Sequence, residues 1–138
     1  MTELGSTHDP VALIPGSPDG IADAAVAWRA AGQSASRLSE SVFGVSPADS
    51  WTGSSAEAFE HRRTTIADNW SAMGEALTLS AAACDAYEAT LRWAQEQAAE
   101  AIRLWNDGQA STRNAQIAHR EQERSAGGLS MVPTFVDP

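Results

Sequence analysis

Apolar residues recur along most of this chain at alternating steps of three and four, the spacing of a helix that packs lengthwise against another. The first such stripe is Ile21, Ala24, Trp28, Ala31, Ala35, Leu38 and Val42. It predicts a helix from Pro18 to Phe43. Ser17-Pro18-Asp19 provides a capping serine, a proline in the first turn and an acid at the positive end. Gly44 is expected to end the helix in a left-handed conformation, and Pro47 prevents its continuation. A second, longer helix is predicted from Ser54, which forms the pattern of a capping box with Glu57.

Two interleaved seven-residue series run through the second helix. One is Phe59, Ile66, Met73, Ser80, Tyr87, Ala94, Ala101, and the other is Arg63, Trp70, Leu77, Cys84, Leu91, Ala98, Trp105. Together they give a seam that stays in phase from Phe59 to Trp105, with Ser80 and Arg63 as its polar members. Gly74 reads as an interior weak point, costing about 1 kcal/mol relative to Ala. Gly108 reads as a break. Residues 108–124 read as a weak third helix or an extension of the second, and 125–138, with Gly127-Gly128 and two prolines, as a flexible tail. Residues 1–16 read as an extended leader, because Pro10, Pro15 and Gly16 oppose a helix.

The predicted fold is all-α: residues 17–107 form an antiparallel helical hairpin with a long second helix. Trp28, Leu38, Phe59, Ile66, Trp70, Met73 and Leu77 are its expected core. At 1.5 Å per residue the first helix spans roughly 39 Å and the second, to Asp107, roughly 80 Å. The second helix therefore outruns the first from near Ser80, while its apolar edge continues. Leader residues Leu4, Val11, Leu13 and Ile14 can cover part of that edge. Tyr87, Leu91, Trp93, Ile102 and Trp105 are the expected partner-facing residues, since an uncovered apolar stripe marks an interaction site. A partner hairpin would complete a four-helix bundle.

Composition narrows the function. Among 138 residues, 27 are alanine, none is lysine, and the net charge is −9. Alanine favours helix and buries little apolar area, so thin helix pairs suit it better than a thick core. The acidity disfavours nucleic acid and anionic membranes, which are bound through Lys and Arg. Cys84 is the single cysteine and sits at an apolar helical position, as a core residue would. No apolar run approaches a membrane span, and no basic cluster followed by an apolar segment opens the chain, so the general secretory route is not expected. His8, His61 and His119 lack a second ligand at metal spacing, no serine sits in a nucleophile elbow, and no glycine loop is built to cradle phosphate. An enzyme, a cofactor and a metal site are not expected.

The turn between the helices holds Trp51-Thr52-Gly53. Alone, a Trp-x-Gly triplet is a hairpin turn. Here it joins two heptad-patterned helices in an acidic, alanine-rich chain, and in that setting it resembles the Trp-x-Gly (WXG) superfamily of type VII secretion substrates. The leader Leu4-Gly5-Ser6-Thr7-His8-Asp9-Pro10 with Leu13-Ile14-Pro15-Gly16, and the segments Leu91-Arg92-Trp93-Ala94-Gln95 and Ala98-Ala99-Glu100-Ala101-Ile102, resemble the type VII secretion signal domain of actinobacterial polymorphic toxins and effectors. The resemblance implies an export-targeting module at the N-terminus of a larger secreted toxin or effector, cytoplasmic before export. It also implies a small WXG-type helical-hairpin protein and the secretion machinery as partners. A free-standing secreted homodimer is the alternative. One departure stands out: such substrates often carry a tyrosine followed four residues on by an acid, whereas Tyr87 is followed by Leu91. A co-secreted partner would then supply that signal.

Overall fold

Residues 2–129 are described by a computed structural model, in which the chain forms three helices: α1 (Pro10–Leu13), α2 (Pro18–Phe43) and α3 (Ser54–Leu129). Strands are absent among these residues. The chain divides into two units, one from Gly16 to Ala94 and the other joining the leader to α3 from Gln95 onward.

In the first unit α2 and the first part of α3 form the expected antiparallel hairpin. Its core differs from the expected one. Between the two helices the buried positions are Ala25, Gly32 and Ala35 on α2 and Ala67, Gly74 and Ala81 on α3, and Leu91 is buried nearer the start of α2. The small residues at 25, 32 and 39 face those at 67, 74 and 81, each line advancing by seven. Backbones meet at Gly32 and Gly74. A β-carbon on Gly32 would lie 3.0 Å from the Gly74 carbonyl oxygen and 2.9 Å from Thr78 Oγ1. A β-carbon on Gly74 would lie 2.6 Å from Ser36 Oγ and 3.0 Å from the Gly32 carbonyl oxygen. Gly74 is thus the point of closest approach and not a weak spot. Nearby, the Ser39 hydroxyl donates to the Ala67 carbonyl at 2.7 Å, tying the helices together through a small polar group. Each buried methyl contributes only about 0.8 kcal/mol, so this seam is thin. Trp28, Leu38, Ile66, Trp70 and Met73, expected in the core, remain 39–51% exposed, because the close backbone approach leaves no room between the helices for large side chains. Phe59 and Leu77 are half-buried.

The helix ends depart from the sequence expectation in two places. Ser17 caps α2 as expected, accepting from the Gly20 amide at 3.1 Å. Gly44 is right-handed, with φ −75°. The end of α2 is secured instead by Arg63 of α3, whose guanidinium donates to the Phe43 carbonyl at 3.1 Å and the Val45 carbonyl at 2.6 Å. It also lies 5.4 Å from the Phe43 ring centre and pairs with Glu60. A cation against the carbonyl end of a helix complements its dipole. The polar member of the heptad series is therefore the C-terminal clamp of α2. At the start of α3 the Glu57 amide donates to the Gly53 carbonyl at 3.1 Å, so Gly53, with φ +104°, holds the capping position and Ser54 lies inside the first turn.

In the second unit the leader lies along α3. It is not wholly extended: Asp9 caps a single turn, α1, by accepting from the Val11 amide at 2.9 Å, and Pro10 takes the first helical position, where it lacks no needed donor. Gly5 packs against Trp105 so closely that a β-carbon there would lie 2.8 Å from the indole ring. Gln95 donates to the Ile14 carbonyl at 3.0 Å. Ala98 and Ile102 are buried. α3 runs through Gly108 without a break, so 108–124 extend it, and the helix continues to Leu129. Residues 130–138 of the expected tail lie outside the described residues. From 111 to 128 every side chain is exposed.

Three stability outcomes follow from these contacts. Gly74→Val should lower the unfolding free energy by about 1–3 kcal/mol in denaturant titrations, overpacking outweighing the better helix propensity. Arg63→Met should lose about 1–3 kcal/mol by the same measurement, because two carbonyls at the end of α2 lose their charged donor. Gly5→Val, which meets the Trp105 ring at a left-handed backbone position, should raise amide exchange across residues 3–14 while exchange across α2 stays unchanged.

Candidate partner-binding surface

The small-residue seam divides the hairpin unit into two flanks. Residues four after the seam positions meet on one flank, where Arg29 pairs with Asp85 and Ser36 approaches Gly74 beside Thr78. On the other flank lie residues one before, and three after, the seam positions. α2 contributes Trp28 and Leu38 there, and α3 contributes Ile66, Trp70, Met73 and Tyr87. All six are exposed. One side of the hairpin is thus polar and ion-paired, and the other is apolar and open.

Charge follows the same division. On the apolar flank and the adjoining outer positions, α2 carries Gly20, Ala24, Ala27, Ala31, Ser34 and Ser41 beside its large residues, and α3 carries Asn69, Ala76, Ser80, Ala83 and Thr90. Every acid of the two helices in this unit falls elsewhere: Asp19, Asp23 and Glu40 on α2, and Glu57, Glu60, Asp68, Glu75, Asp85 and Glu88 on α3. The only charges in these positions are Arg63 on the flank and Arg62 in the adjoining outer line, both at the turn end. Apart from Glu60, which pairs with Arg63 at the turn end, the acids that form ion pairs find them off this flank, as Asp19 and Glu88 do with Arg92.

The turn end holds an apolar hollow of about 210 Å³ lined by Val42, Val45, Phe59, Ile66 and the stems of Arg62 and Arg63. Trp51 packs on Phe59 with ring centres 5.4 Å apart and planes tilted by 55°. It stays exposed, as do Thr52 and Gly53. The Trp-x-Gly turn thereby braces the first turns of α3, next to the hollow. Arg63 is engaged by the end of α2, whereas Arg62 is exposed and has no hydrogen-bond or ion-pair partner among the described residues.

The residues expected to face a partner fall into three settings. Leu91 is buried, with Gly16 packed on its side chain, and Ile102 is buried in the leader unit, so this chain covers both. Tyr87 is exposed on the apolar flank. Trp93 is exposed on the side of α3 away from the seam, in line with Leu79. Trp105 is partly exposed beside Gly5. In the leader unit Glu100, Arg103 and Asp107 form an exposed ion-pair row, and Arg103 holds the Glu100 carboxyl below its usual range. Sequence reading missed the Ala25-Gly32-Ser39 and Ala67-Gly74-Ala81 lines. Their signal was small size at seven-residue spacing on both helices, which a search for large apolar residues passes over.

Among the described residues no cluster of His, Cys, Asp or Glu could hold a metal ion, and no helix is long and apolar enough to cross a membrane. Cys84 is half-buried and unpaired. Neither curated proteins nor solved structures gave a match to this chain. A family model did: that of the "Putative T7SS secretion signal domain" matches residues 2–129, which includes the leader, the hairpin and the extension of α3. With the match spanning nearly the whole sequence, the chain belongs to this family of type VII secretion signal domains, and its export route is type VII secretion.

Proposed function

We propose that this chain is the export-targeting and interaction module of a type VII substrate, standing at the N-terminus of a larger secreted toxin or effector and exported together with a small WXG-type helical-hairpin partner. The observation that carries the partner reading is the apolar flank. The hairpin closes on alanine and glycine, and Trp28, Leu38, Ile66, Trp70, Met73 and Tyr87 remain on one outer side. A surface of that kind is normally covered by another protein. A second helix pair laid on it would bury these side chains as the inner layer of a four-helix bundle.

The module works by shape and display, not by chemistry. Partner binding would leave the polar flank, with the Arg29–Asp85 pair, facing solvent. Trp51 and Gly53 would hold the turn end in a fixed form for the secretion machinery. Tyr87 has no acid four residues on, so the partner would supply the tyrosine–acid export signal that this chain lacks.

Fusion of the chain to the front of a folded reporter enzyme tests the targeting role. In a cell with a type VII apparatus and the cognate small hairpin protein, the reporter should reach the medium. It should stay inside when the apparatus is deleted. Export that survives this deletion, or equal retention in both strains, would refute targeting. Mass measurement of the chain expressed alone tests the pairing: a stable homodimer burying Met73 would replace the hetero-partner reading with self-association.

A further inference from the structure

We infer that Arg62 sets the direction and register of docking on the apolar flank, and that the occupant is a helical partner whose contact face is uncharged except for a carboxylate at the end that meets Arg62. This rests on the partner reading above and adds the chemistry of the partner to it.

The argument is one of charge placement. The two helices of the hairpin unit carry nine acidic residues, yet they present none on the flank that bears Trp28, Leu38, Ile66 and Met73. Random placement of so many acids would not leave one long side empty. A face free of acids, with alanine and serine between large apolar residues, fits an uncharged helical surface. An acid or a base buried at mid-face would have no counter-charge. The single place where charge is accepted is the turn end. There Arg63 is already occupied by the Phe43 and Val45 carbonyls and by Glu60. Arg62, by contrast, lines the hollow formed with Val42, Val45, Phe59 and Ile66, and its guanidinium has no partner among the described residues. An apolar residue of the partner can fill the hollow while a neighbouring carboxylate meets the guanidinium, in a charge-assisted bond strengthened by exclusion of water.

A second copy of this chain does not satisfy that requirement. In a two-fold pairing through the flank, the helices of a second copy offer Arg62 no carboxylate on the same face, because all helix acids of the hairpin lie off it. A membrane surface is disfavoured by the net charge of −9 and by the presence of only two cations on the face.

The test uses the full chain as immobilised target and a phage-displayed library of two-helix hairpins with randomised contact faces as probe. Selected binders should carry uncharged contact faces with Asp or Glu enriched at one helix end. Against Arg62→Gln, which circular dichroism should show to be folded, those binders should weaken on the order of tenfold, and a fresh selection should lose the acid but keep the apolar residues. Binders lost on Met73→Glu yet showing no enriched acid would overturn the role of Arg62 and leave the partner reading standing. Binders indifferent to Met73→Glu would overturn the partner reading itself. Stable self-pairing of the full chain, or its retention on vesicles of anionic lipid, would overturn the stated occupant.

Discussion

The contact between the Gly32 and Gly74 backbones is the constraint on which the rest of the hairpin depends. Each glycine's carbonyl oxygen lies 3.0 Å from where the other's β-carbon would be, and the Ser36 and Thr78 hydroxyls lie nearer still, so neither position admits even a methyl group without movement. Helices that approach this closely can bury only small residues between them, and Ala25, Ala35, Ala67 and Ala81 are what the chain provides. Larger side chains in the same helices have one course left, which is to project from the flanks. The exposure of Trp28, Trp70 and Met73 is therefore a direct consequence of how the hairpin closes, and not an imperfection in its core.

A seam built from methyl groups contributes little apolar burial, and the ends of the unit are secured in other ways. Arg63 reaches from α3 to the last carbonyls of α2, Trp51 packs on Phe59, and Ser17 closes the start of α2. In the leader unit the same economy of size recurs. Gly5 lets the indole of Trp105 lie against the backbone, and Gln95 takes up the free Ile14 carbonyl. Beyond the leader, α3 continues with exposed side chains and the support of i,i+4 hydrogen bonds such as that from Thr112 to the Gly108 carbonyl.

Segregation of charge gives the hairpin a direction. Apart from Glu60 with Arg63, acids and their arginine partners occupy one flank and the outer surface, while the other flank stays neutral along its length and ends in two arginines. One of these is used up by the fold. A domain whose family role is to mark a protein for export needs a surface that is recognised, and the neutral flank with Arg62 at its end is an exposed feature of this unit.

Much of this was legible in the residues. The heptad spacing located both helices, the Ser17-Pro18-Asp19 start of α2 and the antiparallel hairpin, and the leader, turn and Leu91–Ile102 segments pointed to the family that the domain model matches. The choice of seam was not legible. Two heptad readings of α3 share the line through Trp70 and Leu77 and differ by one residue in the other line, Ile66 and Met73 against Ala67 and Gly74. Hydrophobicity favours the first, and the structure takes the second. The sequence by itself determined where helices begin and how their apolar positions recur, because those depend on local backbone preference and on a period of seven. Only the tertiary structure decided which side of each helix turns inward, that Arg63 caps a neighbouring helix, and that the leader covers Ala98 and Ile102. Those outcomes depend on how near two backbones can come, a distance set by both helices at once.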